Sequence, residues 1–179
     1  IIQNDSQILI EGIYFITSQY PEYDSEMFVD RVTGKKYSVE MVLQSIQKYV
    51  PIDNFLKMLI FDFLIGNTDR HQNNWAILEE NGQMKWSPLY DNSSSLCAYI
   101  AQSQIQSYMG KDRKRWNALV DTKSRSMLRC CMNDEKRPTH LVVLEYVHDH
   151  YCEETIEFVK RITDVLTETS IYAMLNQYS

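Results

Sequence analysis

The feature that most constrains this chain is a run of eight polar residues, 67–74, enclosed by apolar segments. Before it, apolar side chains nearly encircle the segment 54–65, which predicts a buried helix that Asp53 begins and Gly66 ends. After it, the apolar segment 75–78 predicts a strand. Because a polar loop between two buried elements is held by a rigid scaffold, it is a strong candidate for functional side chains.

A hairpin follows the loop, and the remaining segments predict mostly helices. Asn81-Gly82 is a strong turn signal, which predicts that 83–86 pairs with the preceding strand. The segment 7–17 is rich in Ile, Tyr and Phe and predicts one or two strands. Further helices are expected over 39–49 (with Ser38 as N-cap), 112–120, 139–151, 153–166 and 168–178.

Three oxygen-bearing side chains flank the hairpin. Asp69 and Asn74 lie five residues apart on the loop, and Asp91 follows 17 residues after Asn74. In protein kinases, one loop carries an Asp that accepts the proton of the substrate hydroxyl and an Asn that holds Mg²⁺, and a second Asp beyond a hairpin completes the metal site. This order of residue types is typical of phosphoryl transfer. The alternative is a structural turn whose Asn and Asp side chains bond to their own backbone.

The residues around these side chains carry a longer motif. FDFLIGNTDRHQNNWAIL followed by SPLYDNSSSL resembles the C-terminal domain of HipA-like serine/threonine kinases. The chain also shares the pattern Gly-x-x-Asp-Arg-His-x-x-Asn with phosphatidylinositol 3-/4-kinases, here at Gly66, Asp69, Arg70, His71 and Asn74. The close match covers about 62–96, and a looser similarity in segment order extends toward the C-terminus.

This resemblance implies an ATP- and Mg²⁺-dependent kinase and assigns roles to individual residues. Asp69 is the expected catalytic residue that orients and deprotonates the substrate hydroxyl, and Asn74 and Asp91 are the expected Mg²⁺ ligands. No cofactor-binding residue is implied beyond these two ligands. The residues expected to support the catalytic loop are Gly66, Asn67, Arg70 and His71.

Two residues near the loop have other interpretations. Asp62 lies one helical turn before Gly66, and we expect it to be a structural hydrogen-bonding partner of the loop. His71 could instead ligate a transition metal, because Asp-x-His is a metal-like pair. The other histidines all fall in the C-terminal region, which argues against such a site.

The implied fold is α+β and mainly α-helical, a protein-kinase-like C-terminal lobe with a small β-hairpin beside the catalytic loop. We expect 1–30 to hold the last N-lobe strands and the hinge region, and 31–179 to form the helical lobe. A complete kinase also needs a glycine-rich loop and a strand lysine over the phosphates. None of the five glycines forms Gly-x-Gly, and Lys35 and Lys36 follow a turn instead of lying in an apolar strand. We therefore expect a larger chain or a separate N-lobe partner, and little ATP turnover by this chain alone.

Composition narrows the substrate and the compartment. No apolar run approaches the roughly 18 to 20 residues of a membrane span, so a protein Ser/Thr substrate is favoured over an inositol lipid. The four cysteines lack metal-binding spacing and are expected to be reduced thiols in a cytoplasmic protein. HipA-like kinases often act as toxins in toxin–antitoxin pairs, so the resemblance also makes an antitoxin a candidate partner.

Two functions without catalysis compete with the kinase hypothesis. A kinase-like module that only binds a partner protein would explain the missing phosphate loop, but it has no need for all three oxygen-bearing side chains. Nucleic-acid binding would use the segment 111–137, which holds nine basic and four acidic residues. The net charge of −6 and the lack of a nucleic-acid-binding motif argue against it.

Overall fold

The structure is a computed structural model that describes residues 6–111 and 113–177. The predicted helices over 112–120 and 168–178, and the predicted unit 1–30, each begin or end outside the described residues. All four cysteines are free. Within the described residues, none of the helices has both the length and the apolar character needed to cross a bilayer.

The described residues combine α-helices with two small antiparallel sheets, as the α+β prediction requires. The strands are β1 Gln7–Glu11, β2 Tyr23–Asp24, β3 Val29–Asp30, β4 Ala76–Glu80 and β5 Gln83–Trp86. The helices are α1 Gly12–Gln19, α2 Val39–Ile46, α3 Asp53–Ile65, α4 Ile105–Tyr108, α5 Lys114–Asn117, α6 His140–Val165 and α7 Glu168–Leu175. A 3-10 turn, Gln102–Gln104, precedes α4, and a π-helical stretch, Ala118–Lys123, follows α5.

The larger sheet has the strand order β1-β4-β5, so the predicted hairpin supplies its middle strand, β4, and one edge strand, β5. Asn81 and Gly82 both have positive φ, 53° and 78°, as the favoured two-residue hairpin turn requires. Strand β1 pairs antiparallel with the other edge of β4, so Leu9 lies opposite Leu78. The hairpin prediction is confirmed, and β4 becomes the inner strand that leads directly out of the polar loop.

The prediction of strand structure throughout 7–17 is wrong in its second half, where α1 forms. The chain leaves the sheet at Gly12, whose backbone N–H donates to the carbonyl of Trp75 at 2.9 Å. A side chain on Gly12 would overlap the Trp75 indole, so this close approach needs glycine. Beyond it, Phe15 and Ile16 are buried on the side of α1 that packs against α2. Apolar residues suit a strand and a buried helix equally well, and here tertiary packing selects the helix.

The core joins both helix pairs and the sheet: α3 packs against α6, α1 packs against α2, and Phe55 of α3 contacts Trp86 of β5. Ser38 caps α2 by accepting from the Met41 N–H at 3.1 Å, as expected, and α2 ends three residues earlier than predicted. Six of the thirteen residues of α3 are buried, and Leu64 is exposed, so the apolar surface does not quite encircle the helix. The buried side chains of α3 include Phe55, Leu56, Met58, Leu59 and Ile60.

The C-terminal part differs from prediction in how its helices join and end. The helices expected over 139–151 and 153–166 form one element, α6, with a kink at Tyr151, where φ is −140°. The helix expected over 112–120 divides into the single turn α5 and the π-helical stretch. The long helix α6 packs against α3 and therefore supports the helix that ends at the polar loop.

Candidate functional site

The polar loop begins where Gly66 ends α3. Gly66 has φ 64°, the left-handed conformation that glycine adopts without steric cost. The next N–H group, that of Asn67, bonds back to the Asp62 carbonyl at 2.9 Å. The chain therefore reverses direction within two residues, and the loop starts against the last turn of α3.

The side chain of Arg70 is 1% exposed, and it is the centre of the hydrogen-bond network that holds the loop. It donates to both carboxylate oxygens of Asp62, at 2.9 Å from Nε and 2.7 Å from Nη2. Nη1 donates to the carbonyls of Asn74 (2.6 Å) and Tyr90 (3.0 Å). Nη2 also donates to Oδ1 of Asn92 at 2.6 Å. Because a guanidinium has five N–H groups, every donor of Arg70 is used.

These five bonds join three separate parts of the chain: α3, the loop and the segment after the hairpin. Asp91 lies between Tyr90 and Asn92, and both of these neighbours bond to the Arg70 guanidinium. Asn74 bonds to the same group through its carbonyl. Arg70 thus holds the backbone of Asn74 close to the segment that contains Asp91, and Asp62 has the structural role expected of it.

A second set of hydrogen bonds shapes the loop around Asp69. The side chain of Asn67 accepts from the Asp69 N–H at 3.2 Å and donates to Asp62 at 3.0 Å. Nδ2 of Asn74 donates to the Asp69 carbonyl at 2.8 Å. Among the described residues, no hydrogen bond involves the Asp69 carboxylate or Oδ1 of Asn74. The backbone of the loop is fixed while these two oxygen groups stay available.

Asp91 is exposed and has an unusual backbone for a residue other than glycine, with φ 49°. Its Oδ1 accepts from the Ser93 hydroxyl at 2.9 Å. An Asn amide oxygen and an Asp carboxylate are hard oxygen donors of the type that Mg²⁺ prefers, and Mg²⁺ keeps several waters besides. The donor set of Asn74 and Asp91 therefore fits this ion.

His71 lies within the loop, and its ring helps to hold the turn. The ring Nδ1 accepts from the Asn73 N–H at 3.2 Å, and the backbone N–H of His71 donates to the Asp69 carbonyl at 2.9 Å. In the part of the chain that the structure describes, no group of three or more His, Cys, Asp or Glu could hold a metal ion. His71 has local bonds that shape the loop, in line with its expected supporting role.

Two tyrosines whose roles were not predicted from the sequence bond to the loop from other segments of the chain. The Tyr37 hydroxyl donates to the Arg70 carbonyl at 3.2 Å and accepts from Nε1 of Trp75 at 3.0 Å. The Tyr90 hydroxyl donates to the Asn73 carbonyl at 2.9 Å. Burial raises the pKa of Tyr37 well above its usual value, and burial together with nearby Glu11 raises the pKa of Tyr90 to about 12. Both hydroxyls therefore remain donors at any physiological pH.

No motif in the sequence marks Tyr37, which lies thirty residues before the start of the loop. Asn92 did carry a signal, since it directly follows Asp91. Its role as an acceptor for Arg70 depends on the left-handed turn at Asp91, which sequence patterns do not report.

Comparison with known proteins identifies the family. The model of the HipA-like C-terminal domain matches residues 20–161, and the chain belongs to this family. The structure is similar to the crystal structure of a Helicobacter pylori proinflammatory kinase, CtkA, with a TM-score of 0.75 and 17% sequence identity. The match covers 98% of this chain and 59% of that chain. No curated protein matches. The α+β fold with a small hairpin beside the loop, predicted from the motif, is confirmed.

Proposed function

We propose that this chain is the catalytic lobe of a HipA-like kinase that transfers the γ-phosphoryl group of ATP, with Mg²⁺, to a Ser or Thr hydroxyl of a protein. The single observation that carries this proposal is the Arg70 guanidinium, which bonds to Asn74 and to both neighbours of Asp91. Phosphoryl transfer depends mainly on positioning and electrostatic stabilisation. A buried, fully bonded cation that fixes both candidate ligands meets that requirement.

In this proposal Asp69 accepts the proton of the substrate hydroxyl. Its backbone is held on both sides, by Asn67 at the N–H and by Asn74 at the carbonyl. Its carboxylate is free of hydrogen bonds among the described residues, so it can accept one from a substrate. Oxygens of Asn74 and Asp91 would hold Mg²⁺, which neutralises the charge of the nucleotide phosphates when bound. The supporting residues Gly66, Asn67, Arg70 and His71 keep this geometry.

The remaining parts of the proposal concern the rest of the protein. The chain spans 59% of the length of the similar kinase chain. We propose that the phosphates are covered by an N-lobe from a longer chain or a partner, and that 1–30 lead to it through the hinge while 31–179 form the helical lobe. A cytoplasmic location, a protein substrate and an antitoxin partner remain proposals that rest on the family resemblance.

Two alternative functions keep specific support. An inositol lipid is the alternative substrate, because the Asp-Arg-His signature is shared with lipid kinases. A non-catalytic module that binds a partner is the alternative to catalysis, because no Gly-x-Gly loop is visible in the sequence.

Calorimetric titration of the full-length protein with ATP, with and without Mg²⁺, tests the metal site. We expect Mg²⁺-dependent binding, and we expect Asp91→Ala to weaken it by about 10-fold or more, because a direct oxygen ligand is lost. Asp121→Ala is the matched control, since Asp121 is an exposed carboxylate outside the loop. Equal Mg²⁺-dependent binding by both variants would contradict the assignment of Asp91, and no nucleotide binding by the unmodified protein would favour the module.

A further inference from the structure

A cavity of about 440 Å³ opens beside the catalytic loop and is dominated by positive charge. Its lining residues come from four parts of the chain, and three of the five are cationic: Thr68, Tyr99, Lys123, Arg125 and Arg137. In a chain with a net charge of −6, three cations around one cavity are a local inversion of charge. A cavity of this kind concentrates anions at its opening.

Among the described residues, the hydrogen bonds of the two arginines of this cavity all go to neutral oxygens. Nη1 of Arg125 donates to the Arg137 carbonyl at 2.7 Å. Arg137 donates from Nε to the Ser126 carbonyl at 2.8 Å and from Nη2 to the Thr68 carbonyl at 3.2 Å. Among the described ion pairs, none involves Lys123 or either of these arginines. The two arginines are therefore held by carbonyl oxygens, and none of the three cations has a carboxylate partner among the described ion pairs.

This arrangement is electrostatically unfavourable by itself. Burial lowers the pKa of Arg137, and neighbouring Arg129 and Arg125 lower it further, while Asp69 has the opposite effect. Nε of Arg129 is also buried without a hydrogen-bond partner. Arg137 is partly removed from water, whereas Lys123 and Arg125 are exposed. A bound anion would offset the repulsion among the three cations and the loss of hydration at Arg137.

The position of the cavity relates it to the proposed reaction. Arg137 holds the carbonyl of Thr68, the residue that directly precedes Asp69. An anion in the cavity would therefore lie beside a hydroxyl that is bonded to Asp69. We propose that Lys123, Arg125 and Arg137 form a subsite that binds an anionic side chain of the protein substrate, next to the residue that accepts the phosphoryl group. This inference rests on the proposed function and specifies which substrates the same site selects.

The test compares peptides that each contain one serine, with the full-length protein as enzyme. One series carries Asp at successive positions on either side of the serine, a second carries phosphoserine there, and a third carries Asn. The variant Lys123→Gln/Arg125→Gln neutralises the two exposed cations and leaves Arg137 to hold the loop. Arg113→Gln is the matched control, because Arg113 lies in the same basic segment and does not line the cavity.

We expect a lower KM for at least one anionic series than for the Asn series. The double variant should raise that KM about 10-fold, since charge-assisted hydrogen bonds are lost. The KM of the Asn series and kcat should stay within about twofold, as the catalytic loop is untouched. The control should match the unmodified protein. The anionic series whose KM differs more from that of the Asn series identifies the preferred anion as a carboxylate or a phosphate.

Several results would overturn the subsite. These are equal KM values for the anionic and Asn series, an equal rise of KM for all series in the double variant, or binding of a DNA or RNA oligonucleotide that depends on both cations without any peptide preference. Fluorescence anisotropy of the same labelled peptides without ATP separates this inference from the proposed function. If anionic peptides bind more tightly than Asn peptides but receive no phosphate, the subsite is supported and the proposed kinase activity is contradicted. If all peptides receive phosphate at equal rates, the kinase activity is supported and the subsite is contradicted.

Discussion

The polar loop, 67–74, and the outer segment, 96–111, are both irregular connections, yet they are held in opposite ways. The loop is anchored by a buried ion pair and by side-chain bonds to α3 and to the segment around Asp91. In the outer segment the hydrogen bonds are mostly local, such as Ile100 N–H to the Cys97 carbonyl at 2.9 Å. Large apolar side chains there are exposed, including Leu96 at 77% and Met109 at 70%.

This contrast shows that the polar loop is held more firmly than the outer segment. The loop that carries the proposed chemistry has few alternative conformations, because moving it would break buried, charge-assisted bonds. The outer segment has few such bonds and belongs to the weakly stabilised end of the structure. The firmly held loop around Asp69 suits the proposed positioning of the nucleotide, and the weakly held segment beyond Asp91 suits the proposed protein substrate.

Removing the central cation should have the largest effect. Arg70→Met leaves the Asp62 carboxylate buried without its partner, so we expect the free energy of unfolding to fall by about 3–5 kcal/mol. Urea denaturation measures this. Lys160→Met is the matched control, since Lys160 pairs with Glu157 at an exposed position of α6, and an exposed pair contributes only about 0.2–1 kcal/mol. Similar losses in both variants would contradict the special role of Arg70.

Removing one hydroxyl behind the loop should have an intermediate effect. Tyr37→Phe leaves the buried Nε1 of Trp75 without an acceptor, so we expect a loss of about 1–3 kcal/mol. Tyr14→Phe serves as control because Tyr14 is exposed, and it should change stability little. Thermal unfolding of both variants tests this, and unchanged stability of Tyr37→Phe would show that this hydroxyl does not support the loop.

The stability of the fold should also respond to acid through His140, a buried residue at the start of α6. Its pKa is lowered chiefly by burial, although Asp62 acts in the opposite direction. The unfolded chain then binds a proton more readily than the folded one, so stability present above the ordinary histidine pKa declines as the pH falls through it. His140→Gln should reduce this decline and His148→Gln, at an exposed position, should not. Denaturation midpoints recorded between about pH 5 and 8 measure this decline. If the midpoints of the unmodified protein and of both variants fall equally with pH, His140 is not the source of the decline.

The smallest effect is expected in the outer segment. Leu96→Ala should change the free energy of unfolding by no more than about 0.5 kcal/mol, because the side chain is exposed. Leu56→Ala in α3 is the matched substitution at a fully buried site and should cost about 2–5 kcal/mol. A large loss for Leu96→Ala would mean that the outer segment is held as firmly as the core.

Much of this architecture could be predicted, because its determinants are local. Ser38, Gly66 and the Asn81-Gly82 turn act within a few residues of themselves, and each has the expected conformation. The order of Asp69, Asn74 and Asp91 likewise indicated the site through spacing along the chain.

The features that escaped prediction depend on contacts between distant segments. The change from strand to helix at Gly12 follows from its approach to Trp75, 63 positions later. The bonds that Tyr37 makes to the loop, and the bond of Arg137 to Thr68, also join residues far apart in sequence. Neither the periodicity of the sequence nor any local signal in it predicts such contacts.

Transfer of phosphate from ATP by the full-length protein, compared with the Asp69→Asn variant, tests the central claim most directly. The Asp69 carboxylate makes no hydrogen bond among the described residues, so Asn fits its place and the melting temperature should be unchanged. We expect transfer to fall by about 10²- to 10⁴-fold, the usual contribution of a general base. A variant that folds normally and retains most of the transfer rate would contradict the assignment of Asp69 and the account built around it.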